Sequence, residues 1–200
     1  MKIILASTSK YRRAQLESLG FTFSCKAPDV DEGAFKKEAS SPKQLCELLA
    51  RLKAESVAKN HPHDFVIGSD QLVDFNGEIL GKPGTKQAAV EQLLKLSGHT
   101  HHLLTSLCVK IRDEVSIYTE TTKLKMRTWN EEEIKNYVDK DSPVDCAGAY
   151  KLESMGRMLF ESIDSKDHSA IVGLPLMALT EIMLQFKVPL PFQHQPRTPL

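Results

Sequence analysis

The chain has 200 residues, 41% of them hydrophobic and 26% charged, which suits one globular domain or two closely joined lobes rather than a disordered protein. Twenty-six basic and 26 acidic residues give zero formal net charge, which argues against a general nucleic-acid or membrane-surface binder. No apolar run is long enough for a signal-peptide core or a transmembrane helix, and the four scattered cysteines form no CxxC pair. We therefore expect a soluble, cytoplasmic protein with reduced thiols and without nucleic-acid or membrane partners.

The first third of the chain predicts alternating strands and helices. In chain order these are a strand at 3–6, a helix at about 10–19, a strand at 21–25, a loop at 27–33, a helix from Ser41-Pro42 to about 59, and a strand at 65–67 that ends in Gly68-Ser69-Asp70-Gln71. Buried strands appear here as short apolar runs, and serine before proline is a strong helix start.

The remainder predicts a larger share of antiparallel strands. Its first part predicts a hairpin at Asn76-Gly77, a helix from Thr85 to before Gly98 and two long strands at about 101–111 and 115–127. Its second part predicts a helix capped by Asn130 and Glu133, a glycine-bearing segment at 147–156, a strand at 158–163 and a helix at about 175–186. The pattern indicates an α/β fold with a mixed, partly antiparallel twisted sheet flanked by helices. We expect one domain at 1–187, with two lobes around a cleft, and a mobile tail at 188–200 with four prolines.

The turn after the first strand has the composition of an anion site. Ser7-Thr8-Ser9 leads into a helix, so hydroxyls and free helix N–H groups point at an incoming ligand. Arg12 and Arg13 add two cations in the first turn, where the helix dipole disfavours them unless an anion is bound. The alternative is a capped surface helix with solvated arginines.

Two further positions stand out by charge and location. Lys53 lies inside the apolar edge of its helix, where it either extends to solvent or meets a partner anion. Asp70 ends a buried strand, where open α/β sheets place ligands, although it is also an ordinary turn residue. Counting back from the Asn76-Gly77 turn places Gln71 opposite Lys82, so that Asp70 and Lys82 become neighbours if the chain bends at Gly81.

Two clusters in the sequence contain residue types that bind metals. The loop Pro28-Asp29-Val30-Asp31-Glu32 supplies carboxylates that, with Asp70, could hold the Mg²⁺ of a triphosphate, although acidic loops are usually only solvated. His99, His101 and His102 lie along a predicted strand, which sends His101 and His102 to opposite faces, so we assign them no metal role.

These pieces together resemble the Maf family of nucleoside triphosphate pyrophosphatases. The matching segments, in order from about Lys2 to Gln185, are LASTSKYRRAQLESLG, APDVDE, LARLKAE, IGSDQ, GKP, KLSGHTH, CAGAYKLE and VGLPL. The resemblance implies a fold similar to inosine triphosphate pyrophosphatases and a homodimer. It also implies hydrolysis of a nucleoside triphosphate between the α and β phosphates with a divalent cation, Mg²⁺ or Mn²⁺.

The resemblance also assigns roles by position. The phosphate-binding residues fall on Ser7, Arg12 and Arg13. The family's acidic residue falls on Glu32, its helix lysine on Lys53, its catalytic aspartate on Asp70 and its strand lysine on Lys82. From their charges we expect Lys53 and Lys82 to neutralise the leaving pyrophosphate and Asp70 to act as base or metal ligand, with Glu32 as a candidate metal ligand.

Within the family the chain is similar to the branch that prefers 7-methyl-GTP. The pointers are Gln71, where the dTTP/UTP branch has threonine, Glu153 in CAGAYKLE, and the aromatic Tyr11, where the 7-methyl-GTP branch usually has tryptophan. Two alternatives stay open: a dTTP/UTP pyrophosphatase, and a non-catalytic nucleotide-sensing regulator of cell division.

Overall fold

The protein, described here from a computed structural model over residues 1–35 and 39–193, is built around one seven-stranded sheet. The strands are β1 (Ile3–Ala6), β2 (Phe23–Lys26), β3 (Phe65–Phe75), β4 (Glu78–Leu80), β5 (Thr100–Ile111), β6 (Glu114–Met126) and β7 (Phe160–Asp164). Their order is β2-β1-β3-β5-β6-β7, with β4 attached to β3. β1 is parallel to β2 and β3 and the other pairs are antiparallel, which confirms the predicted mixed sheet.

In the described residues, six helices accompany the sheet. They are α1 (Lys10–Ser18), α2 (Glu32–Phe35), α3 (Pro42–Ala58), α4 (Lys86–Leu96), α5 (Glu131–Asp141) and α6 (Leu176–Gln185). Short 3₁₀ turns lie at Ala147–Ala149, Met155–Leu159 and His168–Val172. No helix in the described ranges is both long enough and apolar enough to cross a membrane.

The helix starts follow from side-chain caps that the sequence predicts. Ser41, Thr85 and Asn130 each accept a hydrogen bond from the backbone N–H three residues later, which satisfies one of the free donors of the first turn. The Glu133 carboxylate accepts a hydrogen bond from the Asn130 backbone N–H, which completes the predicted capping box.

The hydrophobic core is divided along the long strands. Near the start of β3, Phe65 and Ile67 face α1 and α6, while Val66 on the opposite face packs against α3. Near the end of β3, Val73 joins a second cluster formed with α4 and α5. The middle of β3, which carries Asp70, therefore lies between two packed regions.

Three predicted boundaries are wrong. β3 does not end at Asp70 but continues to Phe75, because β5 pairs with it from Val66 to Asp74. Glu32 lies not in a loop but at the start of α2. The packed domain extends past 187, because Val188 and Leu190 are buried against the α6 cluster. Residues 194–200 of the predicted tail lie outside the described residues.

Gly68 lets α3 lie directly on β3. A Cβ at this position would come within 2.3 Å of the Ala50 carbonyl oxygen and 2.6 Å of the Ala54 amide nitrogen, both in the backbone of α3. Backbone atoms cannot swing aside as a flexible side chain can, so the helix would have to move. The close approach matters for the site, because the same helix carries Lys53.

Gly68→Ala should therefore lower the free energy of unfolding by about 2–3 kcal/mol, the scale of overpacking in a filled core. Gly81→Ala is the matched control, since nothing lies within 4 Å of its added Cβ, and it should change stability by less than about 0.5 kcal/mol. Denaturant unfolding of both variants measures the difference; equal midpoints would contradict the role given to Gly68.

Candidate active site

The turn between β1 and α1 is ordered by its own hydroxyl groups. Ser7 is buried, and its Oγ accepts a hydrogen bond from the Ser9 amide at 3.1 Å. Ser9 caps α1 by accepting from the Arg12 amide. The predicted strand–turn–helix arrangement is thus present, and the first N–H groups of such a helix are those that lack partners within the helix.

The two arginines of α1 lie in different surroundings. Arg12 is half-buried, and its Nε donates to the Gly173 carbonyl oxygen at 3.0 Å while Nη1 lies 3.5 Å from the Ser7 Oγ. Arg13 is exposed and pairs with Glu17 on the helix surface at 2.7 Å. Successive helix residues are about 100° apart, so one side chain enters the cleft and its neighbour does not. The structure brings only Arg12 to the predicted phosphate site.

Lys53 is the most deeply buried cation of the site, with 8% of its surface exposed. Its Nζ donates to the Asp70 Oδ1 at 2.6 Å and lies 2.7 Å from the Glu32 Oε1. The sequence left open whether Lys53 extends to solvent or meets an anion, and the structure answers with two carboxylates. An ammonium this buried requires such partners.

Asp70 reaches this position from within a strand. The parallel neighbour β1 ends at Ala6, opposite Gly68, while the antiparallel neighbour β5 continues alongside. Asp70 therefore projects just beyond the carboxyl end of β1, where open α/β sheets bind ligands, although its own strand runs on. Only 6% of its surface is exposed.

Lys82 reaches the site by a different route from the one predicted. The β3–β4 ladder has the expected Phe75–Glu78 pair but ends at Val73–Leu80. Gln71 is paired with Thr105 of β5 instead of with Lys82. Lys82 follows the end of β4 in a loop and lines the same cavity as Asp70, so no bulge at Gly81 is needed.

Charge around Glu32 favours its ionised form. Burial opposes ionisation most strongly, but the hydrogen bond and charge of Lys53, together with Lys82 and Arg12, outweigh it and hold the pKa of Glu32 below its ordinary value. For Arg12, burial lowers the pKa, and nearby negative groups, Asp70 first, oppose that shift. Cations and carboxylates at this end of the cavity are thus electrostatically coupled.

The cavity above these residues has a volume of about 390 Å³. Tyr11, Gln71 and Glu153, the three predicted specificity positions, all line it together with Lys53, Asp70 and Lys82. A second cavity of about 310 Å³ adjoins Ser7 and shares Tyr11, Arg12 and Lys53 with the first. Of the ten predicted site residues, only Arg13 lies apart from both.

Gln71 has one end fixed and one end free for a ligand. Its Nε2 donates to the carbonyl oxygens of Ala170 and Ile171 at 3.0 and 3.1 Å and lies 3.0 Å from the Thr105 Oγ1. Two carbonyl acceptors determine which end of the amide is nitrogen. The carbonyl end of Gln71, a hydrogen-bond acceptor, is then left for the cavity that this residue lines.

Sequence reasoning missed several cavity residues. Asp145, Cys146, Tyr150 and Gly173 line it with the predicted set. Cys146 and Tyr150 lie within the motif CAGAYKLE and Gly173 lies within VGLPL. The motifs therefore indicated these segments but gave no role to these three residues. Ala149, beside Tyr150, has a φ of +61°, a conformation that non-glycine residues adopt mainly where the surroundings enforce it.

Glu32 and Asp70 fit a divalent cation only as part of a substrate complex. In the described part of the chain no three His, Cys, Asp or Glu side chains form a metal-binding group. Mg²⁺, however, is often held by one or two carboxylates together with substrate phosphates. Because both carboxylates converge on the Lys53 ammonium, they already face one point that a cation bound to phosphate could share.

The sequence matches a known protein family over most of its length. A family model described as "Maf-like protein" matches residues 2–186. The chain belongs to the Maf family. The resemblance drawn from its sequence motifs is confirmed.

Curated relatives match most of this chain and most of their own length. One, from Bdellovibrio bacteriovorus, is 46% identical over 182 residues, covering 91% of this chain and 95% of the relative. Another, from Saccharophagus degradans, is 38% identical over 200 residues, covering 99% and 96%. Both are named 7-methyl-GTP pyrophosphatase.

Among solved structures, the chain is similar to a HAM1 protein from Coxiella burnetii, with a TM-score of 0.50 at 12% identity, covering 92% of this chain and 99% of the other. At this identity the likeness concerns the fold alone. It supports the fold predicted for the Maf family.

Behind the cavity, His101 supports Tyr150 from the core. His101 is buried on β5, with Nε2 3.2 Å from the Tyr150 hydroxyl, and its ring packs against Tyr150 and Phe160. Burial, with a smaller effect of the neighbouring His102, lowers the pKa of His101 to about 4. The folded protein therefore keeps this imidazole neutral through mildly acidic conditions.

Stability should consequently fall as the pH drops from about 6.5 to about 4. In that range the unfolded chain binds a proton at His101 that the folded protein excludes, so unfolding takes up a proton. His101→Phe keeps an aromatic ring in the cluster but removes the titrating group, and should flatten the dependence of Tm on pH in this range. Thermal melts at a series of pH values measure it, and an unchanged slope would be inconsistent with a neutral buried His101.

Proposed function

We propose that this Maf family protein is a nucleoside triphosphate pyrophosphatase, an acid-anhydride hydrolase that releases a nucleoside monophosphate and pyrophosphate. The observation that supports this most directly is the Lys53 ammonium held between Asp70 and Glu32 where the two cavities meet. One cavity carries hydroxyls and cations suited to phosphates, and the other carries aromatic and polar groups suited to a base. A triphosphate laid across both would place its phosphoanhydride bonds beside Asp70.

Each residue then has a physical task. Ser7, the first amides of α1 and Arg12 bind phosphate oxygens. Lys53 and Lys82 neutralise charge that develops on the leaving pyrophosphate, where fixed cations are most effective. Asp70 accepts a proton from the attacking water or helps to hold a metal ion. Mg²⁺ or Mn²⁺, when bound through Asp70, Glu32 and phosphate oxygens, would supply further charge neutralisation.

A nucleotide-sensing regulator is the rival from another class. A sensor needs the phosphate-binding turn but not a carboxylate at hydrogen-bond distance from a buried lysine. Pyrophosphate release from a panel of nucleotides with Mg²⁺ or Mn²⁺ separates the two: binding without release on every nucleotide supports the sensor.

Asp70→Asn should reduce turnover by at least about a hundredfold, the scale expected for loss of a general base. The fold should persist because Lys53 keeps Glu32 as a partner. Asp74→Asn is the control, since it lies on the same strand, and its carboxylate bonds only locally, accepting from the Gly77 amide. Steady-state pyrophosphate release measures both; near-normal turnover of Asp70→Asn would refute the assignment.

We further propose 7-methyl-GTP as the preferred substrate, as in the names of the relatives. A 7-methylguanine ring is cationic, and the Tyr11 ring already attracts the Lys10 ammonium, 4.9 Å from its centroid. Burial raises the pKa of Tyr11 most, followed by the negative charge that Cys146 carries when ionised and by the carboxylates of Asp145 and Glu153. The ring is therefore neutral and lies near two carboxylates that favour a cation. The Glu153 carboxylate can accept hydrogen bonds from the guanine N1–H and amino group, a donor pair that uracil and thymine lack.

Measured side by side, kcat/KM should be highest for 7-methyl-GTP, followed by GTP, with dTTP and UTP lowest. Glu153→Ala should reduce the ratio of 7-methyl-GTP to UTP by about tenfold or more, the effect of losing hydrogen bonds to a charged group. Because Glu153 is distant from the phosphates in this assignment, UTP turnover itself should change little. Equal rates with UTP in the wild-type protein would favour the dTTP/UTP alternative.

Location and assembly complete the proposal. All four cysteines are free, which suits a reducing compartment such as the cytoplasm. A homodimer is proposed on the family resemblance alone, and sedimentation would test it.

A further inference from the structure

Gly173 lies where the chain between β7 and α6 meets Arg12. Its carbonyl oxygen accepts the Arg12 Nε–H at 3.0 Å and the hydroxyl of the fully buried Ser69 at 2.8 Å. This bond uses the Nε–H of the guanidinium. Among the described residues the other hydrogen bond of the group is the long one from Nη1 to the Ser7 Oγ at 3.5 Å, so further N–H groups stay available to a ligand. The contact therefore decides where those groups point.

A side chain at this position would crowd the arginine and force it to shift slightly. A Cβ on Gly173 would come within 3.2 Å of both Cγ and Nε of Arg12. Its φ of +126° is also a conformation that favours glycine. Both features favour glycine at 173, and the first of them ties the lack of a side chain to the position of Arg12.

The carbonyl is itself held firmly. Side-chain amides of Gln15 and Gln71 and the hydroxyl of Thr105 donate to backbone carbonyls between Ser169 and Leu174. The buried Asp167 carboxylate accepts hydrogen bonds from the backbone amides of Ser169 and Met177 and so links the two ends of the segment. A segment fixed at so many points is a rigid support for the guanidinium.

We propose that Gly173 is a positioning residue that holds Arg12 in the orientation required for phosphate binding. This rests on the phosphate-binding role of Arg12 in the proposed function. The proposal concerns geometry, so it predicts that Gly173 acts on phosphate affinity through Arg12 and not through the base cavity or through general stability.

The test measures affinity for inorganic pyrophosphate by titration calorimetry on the full chain at fixed Mg²⁺. Gly173→Ala should weaken binding by roughly tenfold, the effect of misplacing one charge-assisted hydrogen-bond donor. Arg12→Ala should weaken it at least as much, and the double variant should bind no worse than Arg12→Ala alone. Binding of 7-methylguanosine, which has no phosphate, should be unchanged in Gly173→Ala.

Gly77→Ala is the matched control. It has a φ of +87° but nothing within 4 Å of an added Cβ, so it carries backbone strain without touching Arg12 and should keep wild-type affinity. Arg12→Lys covers the case in which Gly173→Ala does not fold: lysine keeps the charge but lacks the Nε–H that bonds Gly173, so it should bind pyrophosphate nearly as weakly as Arg12→Ala.

The outcomes separate this proposal from the proposed function. Wild-type affinity in Gly173→Ala or Arg12→Lys, or additive losses in the double variant, would overturn the positioning role while leaving Arg12 as a phosphate ligand. If Arg12→Ala itself binds pyrophosphate normally, the phosphate role of Arg12 fails and the positioning role fails with it.

Discussion

The buried ammonium of Lys53 is the constraint on which the site depends. Removing an ammonium from water costs several kcal/mol unless charged partners and hydrogen bonds offset it, and Asp70 and Glu32 provide both at 2.6 and 2.7 Å. Three separate elements must meet for this to happen. α3 lies against β3 at Gly68, β3 extends beyond the end of β1 to present Asp70, and α2 begins at Glu32. The contact therefore links the packing of the sheet to the chemistry of the cavity.

The balance of charge around this contact favours an anionic ligand. The cavity beside Ser7 is lined by four cations, Lys10, Arg12, Lys53 and Lys82, and by two carboxylates, Glu32 and Asp145, so it carries a net positive charge when all are ionised. The coupling seen at Glu32, where three cations overcome the cost of burial, indicates that these charges act on one another across the cavity. The negative charge of a bound polyphosphate would offset the excess of cations. A metal ion bound to that polyphosphate could take the place of the Lys53 ammonium as the partner of the carboxylates.

The sequence predicts those features that depend on residues close together along the chain, and it misses those that depend on residues far apart. The caps at Ser41, Thr85 and Asn130 depend on residues three positions away and were predicted correctly. Lys53 was recognisable from the helical pattern, but its two partners were not. The full length of β3 depends on pairing with β5, more than 25 residues later, so Gly-Ser-Asp-Gln was misread as the end of the strand. Helix geometry separates Arg12 from Arg13, but which of the two enters the cleft depends on the packing of α1 against the chain at Gly173, which no local signal contains.

That separation follows a physical rule about how cations are anchored. Arg13, Lys43 and Arg51 each pair with a glutamate one helical turn later, which satisfies them on the surface. Arg12 is held instead by a carbonyl oxygen and lies near a hydroxyl, and the described residues include no carboxylate in ion-pair contact with it. A neutral acceptor fixes the direction of a guanidinium without cancelling its charge, whereas a carboxylate does both. An arginine that must be rigid and still attract phosphate is therefore best anchored by backbone carbonyls, and such an anchor can approach closely only where the supporting residue has no side chain.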